Sequence, residues 1–144
     1  MQTIHTVETT SGMEPLWELE NGFLAEIGEE PMDSARRERL KKAVEEKQIV
    51  FFVARDGSRP VGMCSVSPCF STYACLPCGV FDDFFILPAY RHQGVARLLA
   101  DAAREWCARQ GYASLSVGCC EADTGMYAAL GFETRLGAML ACNL

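Results

Sequence analysis

A run near the middle of the chain constrains the fold most: an apolar strand leads through a proline turn into a long amphipathic helix. The strand is predicted over residues 80–86, and the turn contains Pro88. Apolar residues then recur at the spacing of one helix face until Gly111, namely Val95, Leu98, Leu99, Ala102, Trp106 and Cys107. Because such a helix has to bury its apolar face, we expect it to pack across a sheet that contains the strand.

Shorter patterns on both sides predict the rest of that sheet. On the N-terminal side they indicate a strand over 3–8, a helix over 15–27, a second helix capped by Asp33 or Ser34, and a hairpin of 49–54 and 60–66 around Asp56-Gly57. A loop over 68–78 then leads to the central strand. On the C-terminal side they indicate a strand over 113–117, a short helix over 123–130 and a last strand over 132–142. We therefore predict one α/β domain of the α+β type over residues 1–144, with a mixed sheet flanked by helices.

Composition excludes several classes of function. The chain has 144 residues, of which 49% are hydrophobic and 22% charged, as in ordinary globular domains. Its formal net charge of -6 opposes binding to nucleic acid or to an acidic membrane surface and favours a cationic small molecule. No apolar stretch approaches the ~20 residues of a membrane span, and residues 1–8 do not resemble a secretory signal. We therefore expect a cytoplasmic protein that uses neither membrane nor nucleic acid.

Eight cysteines raise the question of a disulfide or metal framework. They are Cys64, Cys69, Cys75, Cys78, Cys107, Cys119, Cys120 and Cys142. Several lie in apolar runs, which is typical of reduced thiols packed as small hydrophobic side chains. Cys75 and Cys78 have the Cys-x-x-Cys spacing of zinc ligands, but no second pair matches it. Cys119 and Cys120 are predicted as an inert buried pair rather than a reactive thiol. We expect no metal.

The start of the long helix is a candidate phosphate site. The free N–H groups of a first helical turn can hold a pyrophosphate, and Gly94 and Ala96 would let it approach the backbone. Neither the Gly-Lys-Ser/Thr of a P-loop nor Gly-x-Gly-x-x-Gly is present. On these residues alone, an ordinary helix start explains the pattern about as well.

Two motifs resemble those of the GNAT superfamily of acetyl-CoA-dependent N-acetyltransferases. Arg91, Gly94 and Ala96 match its Arg/Gln-x-x-Gly-x-Gly/Ala signature after a strand and a proline turn. Residues 127–133, Tyr-Ala-Ala-Leu-Gly-Phe-Glu, resemble its Tyr-x-x-Leu-Gly-Phe-Glu segment at the family's spacing. The resemblance covers nearly the whole chain and implies a mostly antiparallel, twisted sheet with acetyl-CoA as cosubstrate.

The resemblance also implies roles for individual residues. Backbone amides would hold the cofactor pyrophosphate at Arg91, His92, Gln93, Gly94, Val95 and Ala96. The pantetheine arm would lie along the strand backbone of Phe84, Phe85 and Ile86. Tyr127 would face the thioester sulfur.

Acetylation of an amine needs a base, and two carboxylates are candidates for it. An alkyl ammonium of pKa ~10 must lose a proton before it attacks, and Asp82 and Asp83 are the best placed acceptors. Neighbouring strand residues point to opposite faces, so we expect one of them to face the cleft, with Asp83 favoured. A phenol such as Tyr127 can protonate or hydrogen-bond the leaving thiolate, although its ring could instead pack under the sheet.

These residues lead to a functional hypothesis with two rivals. We expect direct transfer of an acetyl group, within a ternary complex, to the primary amine of a small molecule. One rival is acetylation of a protein N-terminus or lysine, and the other is a non-catalytic acyl-CoA sensor. The sequence is compatible with a monomer or a homodimer.

Overall fold

The computed structural model describes residues 5–144 and contains one five-stranded sheet. Its strands are β1 (His5–Thr10), β2 (Val50–Asp56), β3 (Arg59–Ser71), β4 (Leu76–Ile86) and β5 (Leu115–Val117). They lie in the order β1-β2-β3-β4-β5, and every pair is antiparallel except the parallel pair of β4 and β5. The mixed, mostly antiparallel sheet expected from the sequence is therefore confirmed. Residues 3 and 4 of the first predicted strand lie outside the described residues.

Within residues 5–144, four α-helices flank the sheet: α1 (Trp17–Glu26), α2 (Ser34–Glu45), α3 (Val95–Arg109) and α4 (Thr124–Ala129). Short 3-10 turns precede α1, α3 and α4 at Glu14–Leu16, Pro88–Tyr90 and Glu121–Asp123. Of the two predicted caps of α2, Asp33 is the one used, because its carboxylate accepts a hydrogen bond from the Arg36 amide at 2.8 Å. Among the described residues, no helix is long and apolar enough to cross a membrane.

The core is divided between the two faces of the sheet. Val95, Leu99 and Ala103 of α3 pack on Phe52 and Phe81 on one face. The other face packs against α1 and the end of the turn that precedes it, through Leu16, Leu19, Phe51, Met63 and Phe85. The predicted amphipathic helix thus covers one face of the sheet, and α1 covers the other.

The predicted loop over 68–78 is wrong, because β3 and β4 continue as a long hairpin with a turn at 72–75. Pro68 pairs with Gly79 and Pro77 with Phe70. The Gly79 amide donates a hydrogen bond to the Ser114 carbonyl, and the Pro77 carbonyl accepts one from the Ala113 amide. The backbone groups of Gly79 and Pro77 therefore point away from β3. Hydrogen-bonded and non-hydrogen-bonded pairs alternate along an antiparallel ladder. Both prolines therefore lie at non-hydrogen-bonded positions of the hairpin, where no backbone N–H is needed. Proline therefore does not end these strands.

The predicted last strand over 132–142 is also wrong, because residues 132–144 form no strand. The neighbouring strand β5 has three residues and offers a short edge for pairing. Leu136, Met139 and Leu140 are largely exposed, so the apolar pattern of this segment has no core face to bury. A strand needs both a partner and a buried face, and this segment has neither within the described chain.

Burial of the cysteines differs from the expectation. Cys64 and Cys107 are buried and Cys78 is half-buried, but the other five are exposed, including Cys119 and Cys120. The exposed pair follows the end of β5 at Val117, where the chain leaves the sheet for the surface. Cys69 and Cys78 face each other across the hairpin with their Sγ atoms 2.8 Å apart. Apolar neighbours in sequence therefore did not guarantee burial.

We still expect the purified, reduced protein to contain no stoichiometric metal. Within residues 5–144 no three His, Cys, Asp or Glu side chains are placed to hold one ion, and a structural zinc site ordinarily needs four ligands. Elemental analysis of protein purified without added metal checks this. Stoichiometric zinc whose removal by a chelator lowers the melting temperature would contradict it.

Candidate active site

A β-bulge in β4 interrupts the sheet at Asp83. Met63 pairs with Phe85 and Ser65 pairs with Asp82, so Cys64 alone lies opposite both Asp83 and Phe84. Asp83 has a φ of 49°, in the left-handed region that non-glycine residues seldom adopt. Strain of this kind persists where surrounding contacts hold it, and it is concentrated at functional sites.

The bulge changes the placement of the two predicted carboxylates. The Asp83 carboxylate accepts a hydrogen bond from the Ser65 hydroxyl at 2.8 Å, while the register also places Asp82 opposite Ser65. Asp82 is exposed, and its Oδ1 accepts the Asp83 amide at 2.8 Å. Strict alternation, which would send them to opposite faces, is thus broken at this point. Asp82 supports the bulge, and Asp83 is the less exposed of the pair.

Glu20 of α1 joins these two carboxylates. Its side chain is 4% exposed, and burial together with Asp83 and Asp82 raises its pKa to about 8. Burial raises the pKa of Asp83 to about 6, with a smaller contribution from Asp82 and opposed by the hydrogen bond from Ser65. Low solvation and like charge both favour the neutral acid, which explains the direction of each shift.

Sequence reasoning missed Glu20. The signal available was its position, because Leu16, Leu19, Glu20 and Phe23 follow the i, i+3, i+4, i+7 spacing of one helix face. A carboxylate on an apolar face indicates either a paired charge or a functional group. That the carboxylate meets Asp82 and Asp83 depends on the packing of α1 on β4.

The raised pKa of Glu20 predicts that stability falls with pH. Between about pH 4.5 and about pH 8 the unfolded chain releases this proton while the folded protein retains it, so the free energy of unfolding decreases across that window. We expect a loss of a few kcal/mol at most, since one pKa unit corresponds to about 1.4 kcal/mol.

Urea denaturation of wild type and Glu20→Gln at several pH values measures this effect. The variant should be the more stable protein near pH 8 and should have the flatter profile. Glu18→Gln is the matched control, because Glu18 lies on the same helix with its side chain 70% exposed. Parallel profiles for wild type and Glu20→Gln would contradict the prediction.

One edge of β4 is open beyond the bulge. The β4–β5 pairing covers Gly79, Val80 and Phe81, and within the described chain no strand continues it along that edge. The Leu87 amide donates to the Val61 carbonyl at 2.8 Å, so alternation directs the Phe85 backbone to β3 and the Phe84 and Ile86 backbones to the open edge. An extended ligand could hydrogen-bond to the Phe84 backbone and the Ile86 amide as a further strand would, while the Ile86 carbonyl already accepts a hydrogen bond from Arg91.

Gly94 begins α3 in a conformation suited to close approach of a ligand. It is the N-cap residue, with a φ of 85°, and a Cβ placed there would meet no atom within 4 Å. His92 also has a positive φ, of 62°. The turn therefore leaves the first amides of α3, including that of Ala96, without helical partners at the positive end of a 15-residue helix, while Val95 itself is buried. These features fit a pyrophosphate.

Arg91 fixes this turn to the rest of the site. Its guanidinium donates to the Ile86 carbonyl at 2.9 Å and to Glu26 of α1 at 2.7 Å. Its own amide donates to the Pro88 carbonyl at 3.3 Å, which makes it less available to a ligand than the amides that follow. The Gln93 side chain donates to the Ala89 carbonyl at 2.9 Å. Both side chains hold the turn in place.

Tyr127 of α4 lies beside the open part of β4. Its ring is half-buried and contacts the rings of Phe81, Phe84 and Phe132, with centroids 6.5, 6.2 and 5.9 Å away. Burial is the main cause that raises the pKa of Tyr127 to about 12, so its hydroxyl stays protonated at neutral pH. Packing of the ring and availability of the hydroxyl are therefore compatible.

Two arginines of α3 hold the helix that carries Tyr127. Arg97 donates to the Ala129 carbonyl, and Arg104 donates to the Leu130 carbonyl at 2.9 Å. These carbonyls at the end of α4 have no partner within a continuing helix, and a cation there also complements the helix dipole. Gly131 follows with a φ of 109°, and a Cβ there would clash with the Arg104 guanidinium. The Leu-Gly step of the motif thus makes room for this contact.

Fold and site together define an acyltransferase that uses an acyl-CoA: a sheet opens along one strand, with a helix start at one end of the opening and a phenol and carboxylates near the other. Residues 13–132 match the model of the acetyltransferase (GNAT) family, and the chain belongs to this family. The family predicted from the sequence is confirmed. A comparison of the sequence with curated proteins gives no match.

Solved structures share the fold at low sequence identity. An aminoglycoside acetyltransferase from an uncultured soil metagenomic sample has a TM-score of 0.82 and 15% identity, with 97% of this chain and 95% of that chain covered. Glucosamine-6-phosphate N-acetyltransferase from Arabidopsis thaliana has a TM-score of 0.75 and 12% identity, covering 95% and 98%. A predicted acetyltransferase from Clostridium acetobutylicum, solved with acetyl-CoA, has a TM-score of 0.79 and 14% identity, covering 97% and 96%. The roles of single residues stay predictions.

Proposed function

We propose that this protein transfers the acetyl group of acetyl-CoA directly to a primary amine of a small molecule, within a ternary complex. The observation that carries the proposal is the bulge at Asp83. It places a carboxylate of raised pKa where β4 loses its β5 partner, between α1 and the strand edge. A cationic amine is attracted by this carboxylate, and a single domain over residues 1–144 would supply the whole site.

Acetyl-CoA fits the open edge and the start of α3. The amides from His92 to Ala96 would hold the pyrophosphate, where Gly94 leaves open space, and Phe84 and Ile86 would hold the pantetheine arm. The cosubstrate supplies an acetyl group activated as a thioester. No protein nucleophile is required, since the amine itself can attack.

Asp83 is proposed to accept the proton of the ammonium group, directly or through water. A pKa of about 6 leaves it ionised at neutral pH while making it a stronger base than an ordinary aspartate. Ser65 holds its orientation by the hydrogen bond at 2.8 Å. Tyr127 is proposed to donate a hydrogen bond to the departing sulfur. With a pKa of about 12, it stabilises the thiolate mainly as a donor, because full proton transfer to a thiolate of pKa ~8.5 is uphill.

Release of free thiol from acetyl-CoA, measured with a panel of amines, tests the proposal. The panel should contain alkylamines, diamines, aminosugars and lysine peptides, with reactions lacking amine or enzyme as controls. Amine-dependent release with small molecules is the expected result. Turnover of peptides alone would favour the protein acetyltransferase, and binding of acetyl-CoA with no turnover would favour the sensor.

A further inference from the structure

The carboxyl group of Glu20 lacks a partner in the interior of the protein. The side chain is 4% exposed, and its Oε2 is buried without a hydrogen-bond donor among the described residues. A buried acceptor without a donor is costly, and nearly all such atoms in folded proteins have one. Such a buried acceptor is tolerated where a ligand supplies the donor, so the unpaired Oε2 of Glu20 indicates a binding role.

The surroundings of Glu20 show which ligand would suit it. The charged groups that act on it are Asp83 and Asp82, both acidic. Among the described ion pairs, none involves these three carboxyl groups. Asp83 has the Ser65 hydroxyl and Asp82 has the Asp83 amide as donors, which leaves Glu20 as the member without a partner for Oε2. A cationic donor such as an ammonium group would supply both the missing hydrogen-bond donor and a positive charge among these acidic groups.

The three carboxyl groups do not form a metal site. Within the part of the chain that the structure describes, no three such groups are close enough to hold a single metal ion. The reacting ammonium needs one carboxylate, which the proposed mechanism assigns to Asp83. Glu20 is then left for a second ammonium, since its Oε2 has no donor among the described residues.

We propose that Glu20 binds a second, non-reacting ammonium group of the acceptor, so that the acceptor is a diamine or a larger oligoamine. This inference rests on the proposed function. In the free protein the raised pKa keeps Glu20 largely neutral, and an ammonium beside it would favour the ionised form. A monoamine would leave this carboxyl without a partner, which is the physical basis of the selectivity.

The experiment compares diamines with monoamines of the same length. Values of kcat/KM are measured for diamines with three to six methylene groups, each against the n-alkylamine with the same number of heavy atoms. For wild type we expect the best diamine to exceed its alkylamine by at least about tenfold, well above the factor of about two that two equivalent amines give. Glu20→Gln and Glu20→Met should reduce this ratio to about two, whereas Glu18→Gln, exposed on the same helix, should leave it unchanged.

Each outcome supports or overturns the inference. A wild-type ratio near two, or a high ratio that survives in both Glu20 variants, overturns it; the second result would also be found if Glu20 served only as a base. If wild type acetylates no amine, the proposed function fails, and calorimetry with the same amines in the presence of CoA tests the site. Tighter binding of diamines that Glu20→Gln abolishes would then support the site, and equal or absent binding would overturn it.

Discussion

Replacing Tyr127 with phenylalanine should lower kcat by about 100- to 1,000-fold, the cost of losing one donor to a developing negative charge, while the affinity for acetyl-CoA stays nearly unchanged. The substitution removes one hydroxyl and keeps the ring, so the contacts with Phe81, Phe84 and Phe132 should survive. The hydroxyl is protonated at neutral pH, because burial raises its pKa to about 12, and it is needed only when negative charge develops on sulfur. Single-turnover rates measure the chemical step without interference from product release.

Tyr112→Phe is the matched control for this substitution. Tyr112 also packs against an aromatic ring, that of Trp106 at 5.4 Å, but it follows α3 and lies on none of the elements that carry the site. Its kcat should match that of wild type. A folded Tyr127→Phe protein whose rate is within about threefold of wild type would assign Tyr127 to packing alone.

Replacing Gly94 with tryptophan should weaken binding of acetyl-CoA by more than about 100-fold and leave the protein folded. The side chain would fill the open space in front of the first amides of α3 and would exclude the pyrophosphate. Loss of at least two hydrogen bonds to a charged group accounts for the size of the effect. Calorimetric titration with acetyl-CoA measures it.

Gly111→Trp provides the control for backbone strain. Gly111 follows the other end of α3, with a φ of 76° close to the 85° of Gly94, and a Cβ added there would likewise meet no atom within 4 Å. Both variants should lose about 1–2 kcal/mol of stability from the left-handed conformation. Wild-type affinity in a folded Gly94→Trp protein, or an equal loss in both variants, would remove the pyrophosphate from this site.

Local patterns were sufficient for the elements that bury one regular face. The spacing predicted α3 from Val95, Leu98, Leu99, Ala102, Trp106 and Cys107; of these, Val95, Leu99 and Cys107 are buried in the core, whereas Leu98 is exposed. The two motifs located the turn at Gly94 and the helix at Tyr127, because both depend on local backbone conformation. The hairpin of β3 and β4 was missed, since whether a proline ends a strand depends on which edge its nitrogen faces. That edge is set by the neighbouring strands.

By itself, the sequence determined the order of the strands and α-helices as far as α4, the family and the two motifs, because periodicity and turn chemistry act over a few residues. Tertiary structure decided how the site is assembled. The bulge at Asp83 depends on the register between β3 and β4, and it moves the two aspartates away from simple alternation. Glu20 meets Asp83 because α1 packs on β4, and the resulting loss of solvation raises the pKa of both groups. Desolvation and like-charge repulsion arise from proximity in space, which no local pattern around Glu20 contains.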